Sequence, residues 1–184
     1  MTGKLFVITG PSGVGKTTIA EHLLDEMPNL VRLVTITTRQ MRPGEVNGVD
    51  YHFVDRDTFD RMITGGELFE HAEVYGELYG NSTARLEELL ASGKNVLMVI
   101  DVQGARTVSE KRSDATTIFL AADSVDNLVR RLLGRGKIEQ QDLERRRGEL
   151  ETEMAFAAEC THTVVNKDGR IDQTVEQVQT IIEG

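Results

Sequence analysis

The chain has 184 residues, of which 39% are hydrophobic and 28% charged, and its 30 acidic against 21 basic residues give a formal charge of −9. That composition fits one globular domain able to bury a sizeable core, and it excludes a disordered chain. The negative balance excludes a protein that coats nucleic acid or an anionic membrane, so any bound anion must be gripped by a local cluster of cations. The lone Cys160 cannot close an internal disulfide, which points to a reducing, cytoplasmic setting. The opening "MTGKLFVITG" has no signal-peptide pattern, and apolar runs such as "VLMVI" (96–100) are too short to span a bilayer.

In chain order, "KLFVI" (4–8) reads as a buried strand, followed by the glycine-rich stretch "GPSGVGKTT" (10–18). Beyond Lys16, Ile19, Leu23, Leu24 and Met27 recur at helical spacing until Pro28 stops the helix. "LVRLVTI" (30–36) predicts a second strand. Residues 37–81 break the rhythm with turn signals at Arg42-Pro43-Gly44, Asn47-Gly48 and Gly65-Gly66. They also hold short β-like pieces and a short helix near 57–63, and together read as a small, mostly antiparallel insertion. Helices are predicted over 82–91, 102–112, 124–133 and 171–182, and strands over 95–100, 116–121 and 162–166. Alternating strand and helix argues for an α/β fold, a mainly parallel central sheet with helices on both faces. Residues 130–147 concentrate Arg130, Arg131, Arg135, Lys137, Arg145, Arg146 and Arg147, a third of the positive charge. A solvated helix face is the ordinary explanation of such a run, yet in an acidic chain its concentration asks for a reason.

Gly10-x-x-x-x-Gly15-Lys16-Thr17 matches the P-loop pattern, and it follows a predicted strand and precedes a predicted helix, as that pattern requires. Gly13 and Gly15 let backbone N–H groups converge on phosphate oxygens, and the helix start adds a partial positive end. Lys16 brings a full charge to the β- and γ-phosphates, and the Thr17 hydroxyl suits Mg²⁺. Ser12, Gly13, Val14, Gly15, Lys16, Thr17 and Thr18 are thus the candidate ATP-binding residues, with Thr17 the candidate metal ligand.

A kinase needs a second anion site, and "TITTRQMRPGEVNGVDYHFV" (35–54) offers Arg39, Arg42 and Tyr51, whose forked donors and phenol suit a terminal phosphate. "FEHAEVYGELYGNS" (69–82) adds Glu70, Tyr79 and Asn81. In these blocks, together with "GPSGVGKTT", "IDVQGA" and "RLLGRGKIEQQDLERR", the chain resembles the guanylate kinases over nearly its whole length. The resemblance implies a P-loop kinase that phosphorylates GMP and dGMP from ATP with Mg²⁺. Its core would comprise 1–34, 82–129 and 148–184, with a mixed β/α GMP-binding insertion at 35–81 and a helical lid at 130–147. It implies that Arg39, Arg42, Tyr51 and Tyr79 hold the GMP phosphate. Glu70 would accept from the guanine N1–H and exocyclic amine, and Thr35 and Asn81 would also meet the base. Asp101 would close the base site near the metal, Arg135 and Arg146 would be the lid arginines, and Asn166 would stand on the adenine side. Lys16, Arg39, Arg135 and Arg146 would neutralise the transferring group, and no nucleic acid or membrane partner is implied.

Several positions depart from the family pattern, among them Thr35, which stands where serine is usual. Met41 stands where a proline is common between the two arginines, and Val99 where an acidic residue is usual. Asn81 stands where serine or threonine is usual and is also a good N-cap for the helix expected over 82–91, and "NKD" around Asn166 replaces a shorter pair. Two further readings therefore stay open at this point: a P-loop kinase for another phosphorylated acceptor such as a sugar phosphate, and an inactive interaction module.

Overall fold

The computed structural model describes residues 2–74, 76–124, 126, 128–129, 148 and 150–184. In chain order its elements are β1 (Leu5–Thr9), α1 (Lys16–Glu26), β2 (Leu30–Arg32), β3 (Ile36–Thr37), β4 (His52–Phe53) and α2 (Arg56–Thr64). There follow β5 (Leu68–Val74), β6 (Glu77–Ser82), α3 (Thr83–Ala91), β7 (Asn95–Val99), α4 (Val102–Lys111), β8 (Thr116–Ala121), β9 (His162–Val165) and α5 (Ile171–Glu183). A 3-10 turn, Phe156–Glu159, precedes β9.

Five strands form one sheet in the order β2-β7-β1-β8-β9, every pairing parallel. All five residues of β1 are buried, which is why that strand reads as an unbroken apolar run rather than an alternation. Successive side chains still go to opposite faces. Phe6, Ile8, Leu97, Ile118 and Leu120 pack with Ile19 and Leu23 of α1 and Val175, Val178 and Ile182 of α5. Leu5, Val7, Val96, Met98 and Phe119 pack with Leu86 and Leu90 of α3 and Ala105 and Val108 of α4. The sheet is thus covered on both faces, the arrangement predicted from the sequence.

A second, four-stranded sheet runs β4-β3-β6-β5. β3 pairs parallel with β4 and antiparallel with β6, and β5 pairs antiparallel with β6. Phe59 of α2 packs with Ile36, Leu68 and Leu78 to give this unit a small core of its own. Asp55 caps α2 by accepting from the Thr58 amide.

The expected continuous strand over 30–36 divides. Leu30–Arg32 belongs to the parallel sheet and Ile36–Thr37 to the second one. The Leu33 amide still donates to the Leu97 carbonyl, after which the chain leaves the first sheet. A run of β-formers carries no sign of which sheet it joins, because pairing is decided by distant strands. Most of the helix expected over 124–133, and all of the basic segment 130–147 including Arg135 and Arg146, lie outside the described residues. Among the described residues no helix is long and apolar enough to cross a membrane.

Candidate active site

The loop after β1 and the turn after β7 leave the carboxyl ends of adjacent strands, the crevice where open α/β sheets hold ligands. One cleft there brings Lys16 and Thr17 of the parallel-sheet unit together with Thr35, Tyr51, Glu70 and Tyr79 around the second sheet. Val99, Ile100 and Asp101 line it as well.

The glycine loop adopts the open geometry its composition predicts. Gly10, Gly13 and Gly15 have φ of 138°, 81° and 103°, a region in which side chains strain the backbone. No side chain caps α1, so its first amides remain available to an anion. Lys16 Nζ donates to the carbonyls of Gly10 at 2.6 Å and Pro11 at 3.1 Å, folding back over its own loop. Burial lowers its pKa to about 8, against the pull of Glu153 and Asp101. Thr17 and Thr18 are exposed on the first turn of α1. Val14 is fully buried and anchors the loop, while the Ser12 amide donates to Glu153 Oε2 at 3.3 Å.

Asn166, expected on the adenine side, is 7% exposed. Its Nδ2 donates to the Val14 carbonyl at 2.8 Å and its Oδ1 accepts from Thr174 at 3.0 Å. A Cβ on Gly15 would lie 2.8 Å from that same Nδ2. Asn166 therefore braces the loop from beneath, and Gly15 has a packing reason as well as a conformational one.

On the acceptor side Glu70 is 3% exposed, Asn81 0% and Thr35 4%. Asn81 Nδ2 donates to Glu70 Oε1 at 2.6 Å, and Thr35 Oγ1 donates to Asn81 Oδ1 at 3.3 Å. The cap of α3 is Ser82, which accepts from the Arg85 amide, so the capping alternative for Asn81 is overturned. Asn81 pairs opposite Glu70 across β5 and β6 just where the register shifts, and its side chain turns inward. The other carboxylate oxygen lies against α4: a Cβ on Gly104 would come within 2.6 Å of Glu70 Oε2. The carboxyl is pushed up to about 7, first by burial and then by Asp101, while Asn81 and Lys111 pull the other way. Lys111 Nζ donates to the Phe69 carbonyl at 2.6 Å, tying the end of α4 to β5.

A group whose folded pKa is raised stabilises the fold below its unfolded pKa and loses that contribution as pH rises through the folded value. Between an ordinary carboxylate value of 4.5 and about 7, the free protein is therefore expected to lose about 3 kcal/mol through Glu70. Denaturant midpoints across that range should fall more steeply for the wild type than for Glu70→Gln. Parallel curves would show that Glu70 ionises freely.

Arg39 does not stand free. Its Nη2 lies 2.7 Å from Glu45 Oε1 and its Nη1 3.1 Å from Oε2. Glu45 Oε2 also accepts from the Arg42 amide at 2.7 Å. The Arg39 guanidinium carbon sits 5.2 Å from the Tyr51 ring centroid and 5.6 Å from that of Phe53. Tyr51 and Tyr79 meet edge to face at 6.1 Å, and the Arg42 side chain is exposed. Glu45 and Glu153 were not singled out in the sequence. Glu45 could have been found from its place three residues after Arg42, whereas Glu153 contacts a loop 141 residues away and left no local signal.

Asp101 caps α4, accepting from the amides of Gln103 at 2.7 Å and Gly104 at 3.0 Å. Among the described residues no cluster of three His, Cys, Asp or Glu could hold a metal ion. The donor set fits Mg²⁺ carried in largely by nucleotide phosphates, with Thr17 as an exposed hydroxyl and Asp101 lining the same cleft.

A parallel sheet whose first strand runs into a P-loop, facing a separate arginine-bearing unit across one cleft, defines a P-loop kinase. Comparison with known proteins agrees. A crystal structure of guanylate kinase from Anaplasma phagocytophilum superposes with TM-score 0.81 at 33% identity, covering 99% of this chain and 85% of that one. A shikimate kinase from Bacteroides thetaiotaomicron matches at TM-score 0.54 and 18% identity over 98% and 99% of the two chains, which is a likeness of fold alone. The guanylate kinase family model matches residues 2–184. Guanylate kinases of Rubrobacter xylanophilus and Alkalilimnicola ehrlichii are 42% and 41% identical, over 99% and 98% of this chain and 96% and 88% of theirs. The chain belongs to the guanylate kinase family, nucleoside monophosphate kinases that act as ATP:GMP phosphotransferases.

Proposed function

We propose that this chain passes the γ-phosphoryl group of ATP to GMP and dGMP, and that Glu70 selects the base. The observation that carries the reading is a carboxylate 3% exposed at the floor of the cleft, with one oxygen held by Asn81. Guanine offers two adjacent donors, N1–H and the exocyclic amine, which a single ionised carboxylate can accept. Adenine has no matching pair at that edge and would leave Glu70 buried without partners. Sites of that kind discriminate by roughly 10⁴ or more. Thr35 and Asn81 orient the carboxylate and present polar atoms to the remaining base edge.

On the donor side, loop amides from Ser12 to Thr18 and Lys16 hold the β- and γ-phosphates, the Ser12 amide exchanging Glu153 for phosphate. Asn166, fixed to the Val14 carbonyl, keeps the loop in the receiving conformation. Bound Mg²⁺, met by the Thr17 hydroxyl with Asp101 nearby, would neutralise charge on the phosphate oxygens. On the acceptor side, Arg39 exchanges its Glu45 partner for the GMP phosphate, a swap between two anions at one fork. Arg42, Tyr51 and Tyr79 complete the clamp. Phosphoryl transfer asks for alignment and charge neutralisation rather than a strong base. Arg135 and Arg146 are assigned to close over the transferring group and exclude water. The division of labour is then a parallel-sheet core, an acceptor unit at 35–81 and a lid at 130–147.

A coupled assay for ADP tests the reading. ADP should form with GMP or dGMP, and not with AMP or a sugar phosphate. Equal turnover with all of them would refute base selection by Glu70, and no turnover with any would support an inactive module.

A further inference from the structure

Arg32, the last residue of β2, is a half-buried cation for which the site described so far has no use. It lies opposite Leu97 in the parallel pairing, so its side chain shares the sheet face of Leu30, Leu97 and Val99. That face fronts α1 and the glycine loop. The guanidinium carbon of Arg32 sits 5.7 Å from the ring centroid of Tyr51, a cleft residue of the acceptor unit. Arg39 approaches the same ring to 5.2 Å. Two guanidiniums thus converge on one tyrosine, Arg32 from the end of β2 and Arg39 from the segment after β3.

Their charges differ in how they are met. Arg39 is paired with Glu45. Arg32 makes no hydrogen bond and no ion pair with any described residue, and its Nε is buried without a partner. The Nε donor is the one left buried and unmet, a costly arrangement unless an anion completes it, while the Tyr51 ring lies against the guanidinium. The neighbouring strand could have supplied that anion at position 99, on the same sheet face two residues beyond Leu97. Valine stands there instead. In a chain of net charge −9, an uncompensated half-buried cation beside the cleft residue Tyr51 points to an anion that arrives.

We propose that Arg32 is a third guanidinium of the acceptor-phosphate site, reaching from the parallel sheet to the phosphate that Arg39, Arg42 and Tyr51 hold from the other side. The assignment rests on the function proposed above. The incoming phosphate satisfies the donors that the protein leaves open, and in doing so ties the acceptor unit to the core. Stacking on Tyr51 holds the guanidinium plane in place beforehand, so little freedom is lost on binding.

Steady-state kinetics of the wild type, Arg32→Met and Arg32→Lys, with thermal melts of each, test it. Arg32→Met is expected to raise KM for GMP about tenfold, the order of one charge-assisted hydrogen bond, with KM for ATP unchanged and Tm of the free protein equal or higher. Arg32→Lys should recover part of the loss, because the charge returns without the planar fork. An unchanged KM for GMP overturns the proposal. So does a rise in both KM values with a lowered Tm and no recovery in Arg32→Lys, which would mark a prop for Tyr51. Should Arg32→Met fail to fold, Arg32→Gln carries the same test. A wild type that makes no ADP with GMP overturns the proposed function and this assignment with it. A wild type active on GMP with an indifferent Arg32 variant overturns this assignment alone.

Discussion

Lys16→Ala should lower kcat by roughly 10³-fold or more, the largest effect expected of any single substitution among the described residues. Cations that meet developing charge on a transferring phosphoryl group are worth on the order of 10³ to 10⁵ in rate. Lys16 has two tasks, and alanine removes both. Its Nζ holds the carbonyls of Gly10 and Pro11, keeping the loop closed on itself before nucleotide arrives. In the proposed function its ammonium then turns to the β- and γ-phosphates. The lowered pKa of about 8 shows how much burial opposes that charge in the free protein. Triphosphate oxygens would raise the pKa again, so bound ATP would favour the ammonium further. ADP formation at saturating GMP measures kcat, and a melt checks the fold. A loss smaller than about tenfold in a folded variant would mean that loop amides and other cations carry the neutralisation without it.

The second large effect is expected at Glu70. Glu70→Gln keeps the shape and replaces one acceptor oxygen by a donor. Guanine would then face a donor with a donor, and a hydrogen bond to a charged acceptor would be lost. The expected result is a rise of about 100-fold or more in KM for GMP, consistent with the cost of unpaired polar groups in a recognition site. KM for ATP should stay where it was, because the glycine loop lies on the other unit. The same substitution should raise stability above pH 7, since it removes a carboxylate that burial penalises when ionised. A variant more stable and less selective is the signature of a group held in a strained charge state for recognition. Unchanged KM for GMP would reassign guanine recognition away from this residue.

Much of the site is legible in the sequence alone. The glycine loop was legible because a strand, a Gly-rich turn and a helix start are local features, and Gly13 and Gly15 carry the positive φ that the pattern demands. The parallel sheet was legible because β1, β7 and β8 are apolar runs separated by amphipathic helices. Asn81 shows where reading along the chain failed. Next to a helix start it looked like a cap, but Ser82 does that work and Asn81 faces Glu70 across a hairpin. Arg39 was found as a phosphate ligand candidate, yet its ion pair with Glu45 and its ring contact with Tyr51 were not.

What the amino-acid order determined by itself is therefore the vocabulary of the site: a phosphate-binding loop, a pair of arginines, an acid and a basic run, each encoded within a few consecutive residues by backbone preference and side-chain type. What only the tertiary structure decided is which of them meet. The Val14 carbonyl is braced by Asn166 across 152 positions, and Thr35 reaches Asn81 across 46. Arg32 touches Tyr51 only because one short β run ends in one sheet and resumes in another. Such contacts depend on sheet order and register, which arise from the packing of the entire core and leave no trace in any short window of sequence.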